Sequence, residues 1–146
     1  MTSRRKTREL ALSCAYEIEV GKHDADECIR RTIELQEVEK GAADFLRSAV
    51  KTAWVHKEAV DGFIAELAEG WKIERIAKVD LAILRLAIVE LLVGIEEPPA
   101  DDSIVINEAV VLAKKFSTED SGKFVNGILA SVVKEKEKYR ARLKGD

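Results

Sequence analysis

Three arginines lie close together at the start of the chain. The first nine residues carry four cationic side chains and a single acid, and three of the cations are Arg4, Arg5 and Arg8. In a helix, side chains three or four residues apart share one face, so the three guanidinium groups can act together. Guanidinium stays charged and donates a fixed fork of hydrogen bonds that suits phosphate oxygens. The cluster predicts a phosphate-binding surface, and the alternative is a solvated, frayed helix start.

The residue types that commonly perform catalysis are scattered. His23 and His56 have no nucleophile or acid at a recognisable catalytic spacing, and residues 56–58 do not begin an HExxH zinc motif. Residues 122–124 lack the upstream glycine and the following hydroxyl of a phosphate-binding loop. We therefore predict that the protein is not an enzyme.

No residue pattern indicates a metal, a cofactor or a disulfide framework. Cys14 and Cys28 do not form a CxxC pair, and they are the only two cysteines. The acidic pairs at 96–97 and 101–102 lack the alternating ligands and turn glycine of a calcium loop. We expect buried thiols and a solvated acidic loop.

Charge and hydropathy limit the class of protein. The net charge is -3 over 146 residues, so any nucleic-acid site has to be a local basic patch rather than a uniformly basic surface. No apolar run approaches the roughly 20 residues that span a bilayer, and the N-terminus has no apolar signal-peptide stretch. We expect a cytoplasmic protein without a membrane partner.

Apolar residues recur at helical spacing along most of the chain, which predicts an all-α protein of about seven helices. A single domain is expected over residues 1–146, with a charged extension from about residue 134 that is solvated or frayed. The first predicted helix follows a Thr2 or Ser3 cap and ends near Gly21, and the second ends at about Gln36. A long helix or helix pair is predicted over 42–69. The remaining helices are predicted over 81–93 with Asp80 as the cap, over 104–116, and after 117–120.

The helix predicted over 81–93 is apolar nearly all round. Its interior charges are limited to Arg85 and Glu90. A helix without a polar face is buried on all sides, so we predict that it is the central helix of the core.

Two blocks of sequence resemble the signatures of the NusB family of transcription antitermination factors. The first comprises residues 71–80, WKIERIAKVD, with 82–87 and 90–91. The second runs from 106 to 129 and contains INEAV, LAKKF and DSGKFVNGIL. The resemblance implies a helical fold of two packed sub-bundles.

The same resemblance implies a function. NusB proteins bind the boxA element of nascent, single-stranded RNA together with the ribosomal protein NusE, within the transcription elongation complex. We therefore expect a non-catalytic antitermination factor that supports transcription of ribosomal RNA. The resemblance places RNA contacts at six residues: Arg4, Arg5, Arg8, Asp120, Lys123 and Phe124.

The chemistry of the second RNA segment agrees with that assignment. An exposed Phe124 can stack on an unpaired base, and Lys123 can contact phosphate. Without the resemblance, core packing beside Val125 and Ile128 is the simpler interpretation of Phe124.

The resemblance also places the NusE surface at Tyr16, Glu74 and Asp80. Leu81 stands where the family commonly has Arg or Lys, and Val89 where it usually has Tyr. We expect these two departures to alter the partner-facing surface.

Two alternatives remain open. The chain could be a NusB-like protein interaction module or homodimer without sequence-specific RNA binding, which the net acidity would suit. It could also be the recognition domain of an RNA methyltransferase, although it contains no glycine-rich loop for a methyl donor.

Overall fold

The computed structural model describes residues 1–145, and within this range it contains eight α-helices, one short 3-10 helix and no strand. None of the described helices is long and apolar enough to cross a membrane. The predicted all-α class is confirmed. The α-helices are α1 Arg4–Gly21, α2 Ala25–Leu35, α3 Lys40–Val55, α4 Lys57–Leu67, α5 Lys78–Leu92, α6 Asp102–Phe116, α7 Glu119–Lys134 and α8 Lys136–Gly145, and the 3-10 helix is Ile73–Arg75.

The buried side chains form two hydrophobic clusters. The first is built by α1, α2 and α3, and its largest fully buried side chains include Ile18 and Leu46. The second is built mainly by α4 to α8. Leu86 of α5 packs against both clusters, and α1 contributes Leu12 to the second. Two sub-bundles therefore meet along α1 and α5.

Helix α5 is the centre of the molecule, as its apolar sequence predicts. Its two interior charges both pair with other helices. The Arg85 guanidinium donates to the Asp61 carboxylate at 2.8 Å and to Glu19 at 3.4 Å. Glu90 accepts from Arg8 of α1. Removing one member of a buried pair leaves the other without compensation. The contacts of Arg85 with Glu19 and of Glu90 with Arg8 both join α5 to α1, so they constrain how the sub-bundles dock.

The helix ends agree with the capping pattern in part. Ser3 caps α1 and Thr118 caps α7 with their side chains. The segment predicted as a long helix or helix pair over 42–69 is a pair, because the chain breaks at His56 between α3 and α4. Asp80 is not a cap: α5 begins at Lys78, so Asp80 lies inside its first turn.

The charged C-terminal segment is a packed helix rather than a solvated extension. Tyr139 and Leu143 of α8 are buried, and the Tyr139 ring lies 4.9 Å from that of Phe63. Nε of Arg140 donates to the carbonyl of Leu92 at the end of α5, at 3.0 Å. The few apolar residues of this segment are separated by charged ones, so the sequence does not show the apolar stripe of a packed helix. Residue 146 lies outside the described residues.

Candidate nucleic-acid interface

Arg8, one of the three predicted RNA-contacting arginines, is buried. Its Nη2 lies 2.5 Å from Oε2 of Glu90, and its Nε lies 3.2 Å from Oε1. The guanidinium also lies 5.4 Å from the centre of the Phe45 ring. Arg8 therefore does not share an exposed face with Arg5, because Phe45 of α3 and Glu90 of α5 pack against it.

Arg4 is intermediate between buried and exposed. Its guanidinium lies 4.3 Å from the centre of the same Phe45 ring, which attracts the cation. Its Nη2 lies 3.2 Å from Oε1 of Glu96. Arg4 therefore has two partners within the protein and only part of its surface free for a ligand.

Arg5 is exposed over 58% of its side chain. Its guanidinium contacts the Glu108 carboxylate of α6, with Nη2 at 2.8 Å and Nε at 3.2 Å. The hydrogen bond from Arg5 lowers the pKa of Glu108. Of the three arginines, Arg5 presents the largest exposed surface to a phosphate.

The fold brings two lysines of α6, Lys114 and Lys115, close to the start of α1 and the start of α7. Lys115 of α6 contacts Oε2 of Glu9 at 2.9 Å, and Lys6 lies 4.0 Å from the other oxygen of the same carboxylate. Lys114 packs so closely over Gly122 that a Cβ there would lie 2.9 Å from its Cγ. In the sequence, these two lysines are visible only as an adjacent basic pair. Their proximity to the arginines depends on the contacts of α6 with α1 and α7, which the sequence does not show.

These contacts join the start of α1 to the start of α7 through the end of α6. We call the resulting band of side chains the basic rim. Lys123, the last member, is exposed and forms no ion pair with any residue that the structure describes. The rim consists of Arg5, Lys6, Lys115, Lys114 and Lys123.

Phe124 lies beside an open groove of about 410 Å³. One part of its ring packs against the second hydrophobic cluster, and the rest lines the groove. Trp71 and Asp120 line the same groove. The two interpretations of Phe124, core packing and an accessible ring, both describe part of its surroundings. We call this feature the Trp71–Phe124 groove.

Asp80 also lines this groove, although it is only 6% exposed. One carboxylate oxygen accepts a hydrogen bond from Oγ of Ser121 at 2.8 Å. The other oxygen is buried and has no hydrogen-bond partner among the described residues. Asp80 thus couples the start of α5 to the start of α7.

The predicted partner residues fall in separate places. Tyr16 is exposed and lines a second groove of about 400 Å³ with Val79 and Phe116. Glu74 is exposed on the 3-10 helix. Asp80 is buried and lines the Trp71–Phe124 groove, whereas its neighbour Val79 lines the groove of Tyr16.

The two departures from the family pattern are core residues. Leu81 and Val89 are both 0% exposed. Neither side chain can therefore contact a partner directly, because both are packed inside the core around α5.

Comparison with known proteins supports the sequence resemblance. The NusB family profile matches residues 5–134. The transcription antitermination protein NusB of Symbiobacterium thermophilum is 44% identical over 140 residues, which cover 90% of each chain.

Solved structures agree with this comparison. NusB of T. maritima superimposes with a TM-score of 0.84 at 32% identity, covering 94% of this chain and 97% of that one. A crystal structure of antitermination factors NusB and NusE in complex with double-stranded RNA contains a chain with a TM-score of 0.79 at 28% identity, covering 90% and 96%. The helical fold, the two sequence blocks and the matched length together place this chain in the NusB family.

Proposed function

We propose that this protein is a cytoplasmic transcription antitermination factor that binds boxA-like single-stranded RNA together with NusE and supports transcription of ribosomal RNA in the elongation complex. The observation that carries the proposal is the continuity of the basic rim, which leads from Arg5 to Lys123 and ends beside Phe124. Proteins recognise single-stranded RNA with two components: cations that follow the RNA backbone, and aromatic rings on which the bases stack.

The exposed cations supply the phosphate contacts. Each contact releases counterions from the RNA, so binding weakens as salt rises. Acids within the rim, including Glu9 and Glu108, hold the cationic side chains in place when no RNA is bound. An incoming phosphate would either replace those acids as the partner of the cations or share the cations with them.

Single-stranded RNA suits the groove better than a duplex. A ring such as Phe124 reaches only bases that have left the helical stack, and bases in an A-form duplex remain stacked. The relative described above was crystallised with double-stranded RNA. For this chain we propose an unpaired element.

The surface around Tyr16 is the proposed NusE contact. Its groove combines Tyr16 and Phe116, which are 39% and 46% exposed. Exposed aromatic residues are enriched in protein interfaces because they bury large areas. The groove shares Lys6 with the basic rim, so RNA and partner would bind side by side.

We also propose that the protein acts by binding and catalyses no reaction. Both cysteines are buried, and burial raises the pKa of the Cys14 and Cys28 thiols. Thiols of that kind stay protonated at neutral pH and are poor nucleophiles.

The test is a titration of labelled boxA-like RNA and of a scrambled RNA of equal composition, with and without NusE. We expect tighter binding to the boxA-like sequence and a larger preference when NusE is present. Equal affinity for both RNAs under both conditions, with NusE binding intact, would favour the interaction-module alternative. Sedimentation of the protein alone would then show whether the surface serves a homodimer.

A further inference from the structure

We propose that the Trp71–Phe124 groove receives one unpaired base, and that Asp80 selects a base with an exocyclic amino group, such as adenine or cytosine. The inference rests on the proposed RNA binding. It assigns to Asp80 a role in RNA recognition, whereas the family resemblance places Asp80 at the protein partner.

The groove has aromatic side chains from two separate parts of the chain. Trp71 is 57% exposed and follows Gly70, whose φ of 80° is a left-handed conformation that favours glycine. The amide of Trp71 donates to the carbonyl of Ala68 at 2.9 Å, which closes the turn. Phe124 comes from α7. Stacking on an aromatic side chain adds to the affinity for an unpaired base of any sequence.

Asp80 lines the groove, and one of its two carboxylate oxygens accepts no hydrogen bond from any described residue. An ionised carboxylate only accepts, and a buried acceptor without a partner costs free energy. Ser121 satisfies one of its oxygens and leaves the other unpaired among the described residues. The amino group of adenine or cytosine is a donor, and Asp is a known partner for the amino group of cytosine.

Charge decides which part of a nucleotide enters the groove. Asp80 and Asp120 both line it, so a phosphate inside would meet two carboxylates. Arg75 also lines the groove, is exposed, and has no ion-pair partner among the described residues. The base therefore enters the groove, and its phosphates stay outside near Arg75 and the basic rim. The same two carboxylates disfavour an acidic peptide.

The experiment replaces each adenosine of the boxA-like RNA in turn with purine riboside, which lacks the amino group, and each cytidine with its 4-deoxy analogue. Affinities are measured without NusE for the wild-type protein and for Asp80→Ala. We expect one position at which the wild type loses roughly tenfold in affinity. At that position Asp80→Ala should bind both RNAs equally. Melting temperatures show whether the variant remains folded.

Trp71→Ala is the second variant, since its exposed side chain can be removed with little effect on the fold. We expect about a fivefold or greater loss of RNA affinity, the lower limit of a stacking contact. Trp54→Ala is the matched control. Trp54 is also exposed, at 45%, but it lies on α3 and lines a different surface with Lys51 and Val55. Its loss should leave RNA affinity unchanged.

Three results would contradict the inference. Wild-type protein that binds the RNA but shows no loss at any replaced position would overturn the base assignment alone. Trp71→Ala that weakens NusE binding and leaves RNA affinity unchanged would assign the groove to the protein partner. Wild-type protein that prefers neither RNA in the earlier titration would overturn the proposed function, and the base assignment with it.

Discussion

Arg5 and Arg8 are separated by less than one turn of α1, yet their surroundings differ. The Arg5 side chain is 58% exposed and contacts Glu108 near the protein surface. The Arg8 side chain is 10% exposed and contacts Glu90, which is 9% exposed, between the two sub-bundles. Both are arginine–glutamate pairs: Arg5 makes three hydrogen bonds to Glu108, and Arg8 makes two to Glu90. The two pairs differ in burial because different helices pack against them.

That difference assigns the two arginines to different tasks. A buried pair is costly to break because the remaining charge is neither paired nor solvated. An exposed pair contributes little to stability, so its arginine remains available to a ligand. A cluster of cations in the sequence can thus contain both a binding residue and a residue that docks two parts of the fold.

The largest effect is expected for Arg8→Glu. The substitution places a second carboxylate against Glu90 in a buried site, and breaking a buried pair costs about 3–5 kcal/mol. We expect a large fall in the free energy of unfolding, measured by denaturant titration. Arg5→Glu is the matched control and should retain nearly the wild-type stability. Equal stability of the two variants would show that the buried pair does not dock the sub-bundles.

Phe124 is partly buried, between the buried Arg8 and the exposed Arg5, so Phe124→Ala should affect both RNA binding and stability. Loss of stacking should weaken RNA binding by about 1–3 kcal/mol with little change in the salt dependence. Its packed part contacts the core, so the melting temperature should also fall. Both quantities are measured on the same preparation. A fall in melting temperature with unchanged RNA affinity would make Phe124 a core residue only.

A smaller effect is expected for Lys115→Gln in the basic rim. The loss of one phosphate contact to a single strand should reduce the slope of log affinity against log salt by about 0.7. Lys40→Gln, on α3 and 89% exposed in its side chain, is the control. Equal slopes for both variants would remove Lys115 from the interface.

The smallest effect concerns pH. Arg5 lowers the pKa of Glu108 in the folded protein. The pair therefore stabilises the fold fully above the unfolded pKa of Glu, about 4.3, and that contribution is lost as pH falls through the folded pKa. Glu108→Gln should be slightly less stable than wild type at pH 7, and the difference in melting temperature should vanish in acid. A difference that grows as pH falls would contradict the assignment.

Local patterns in the sequence were sufficient for much of the fold. Helical periodicity, the Ser3 cap and the apolar α5 depend on neighbouring residues, and each appears in the structure. The tail was misjudged, because Tyr139 and Leu143 become apolar contacts only where α8 meets α4 and α5.

The candidate site was less predictable for the same physical reason. The burial of Arg8 is imposed by α3 and α5, which lie far along the chain. Lys115 joins the rim only through Glu9, 106 residues away. Asp80 has the sequence features of a helix cap, and its contact with Ser121 depends on how α5 meets α7.

The most direct test measures boxA-like RNA affinity, with NusE present, for wild type and Arg5→Glu, together with the melting temperature of each. We expect weaker binding by Arg5→Glu, a salt slope reduced by about 0.7, and a melting temperature close to wild type. Unchanged RNA affinity in a folded Arg5→Glu variant would contradict the proposed role of the basic rim.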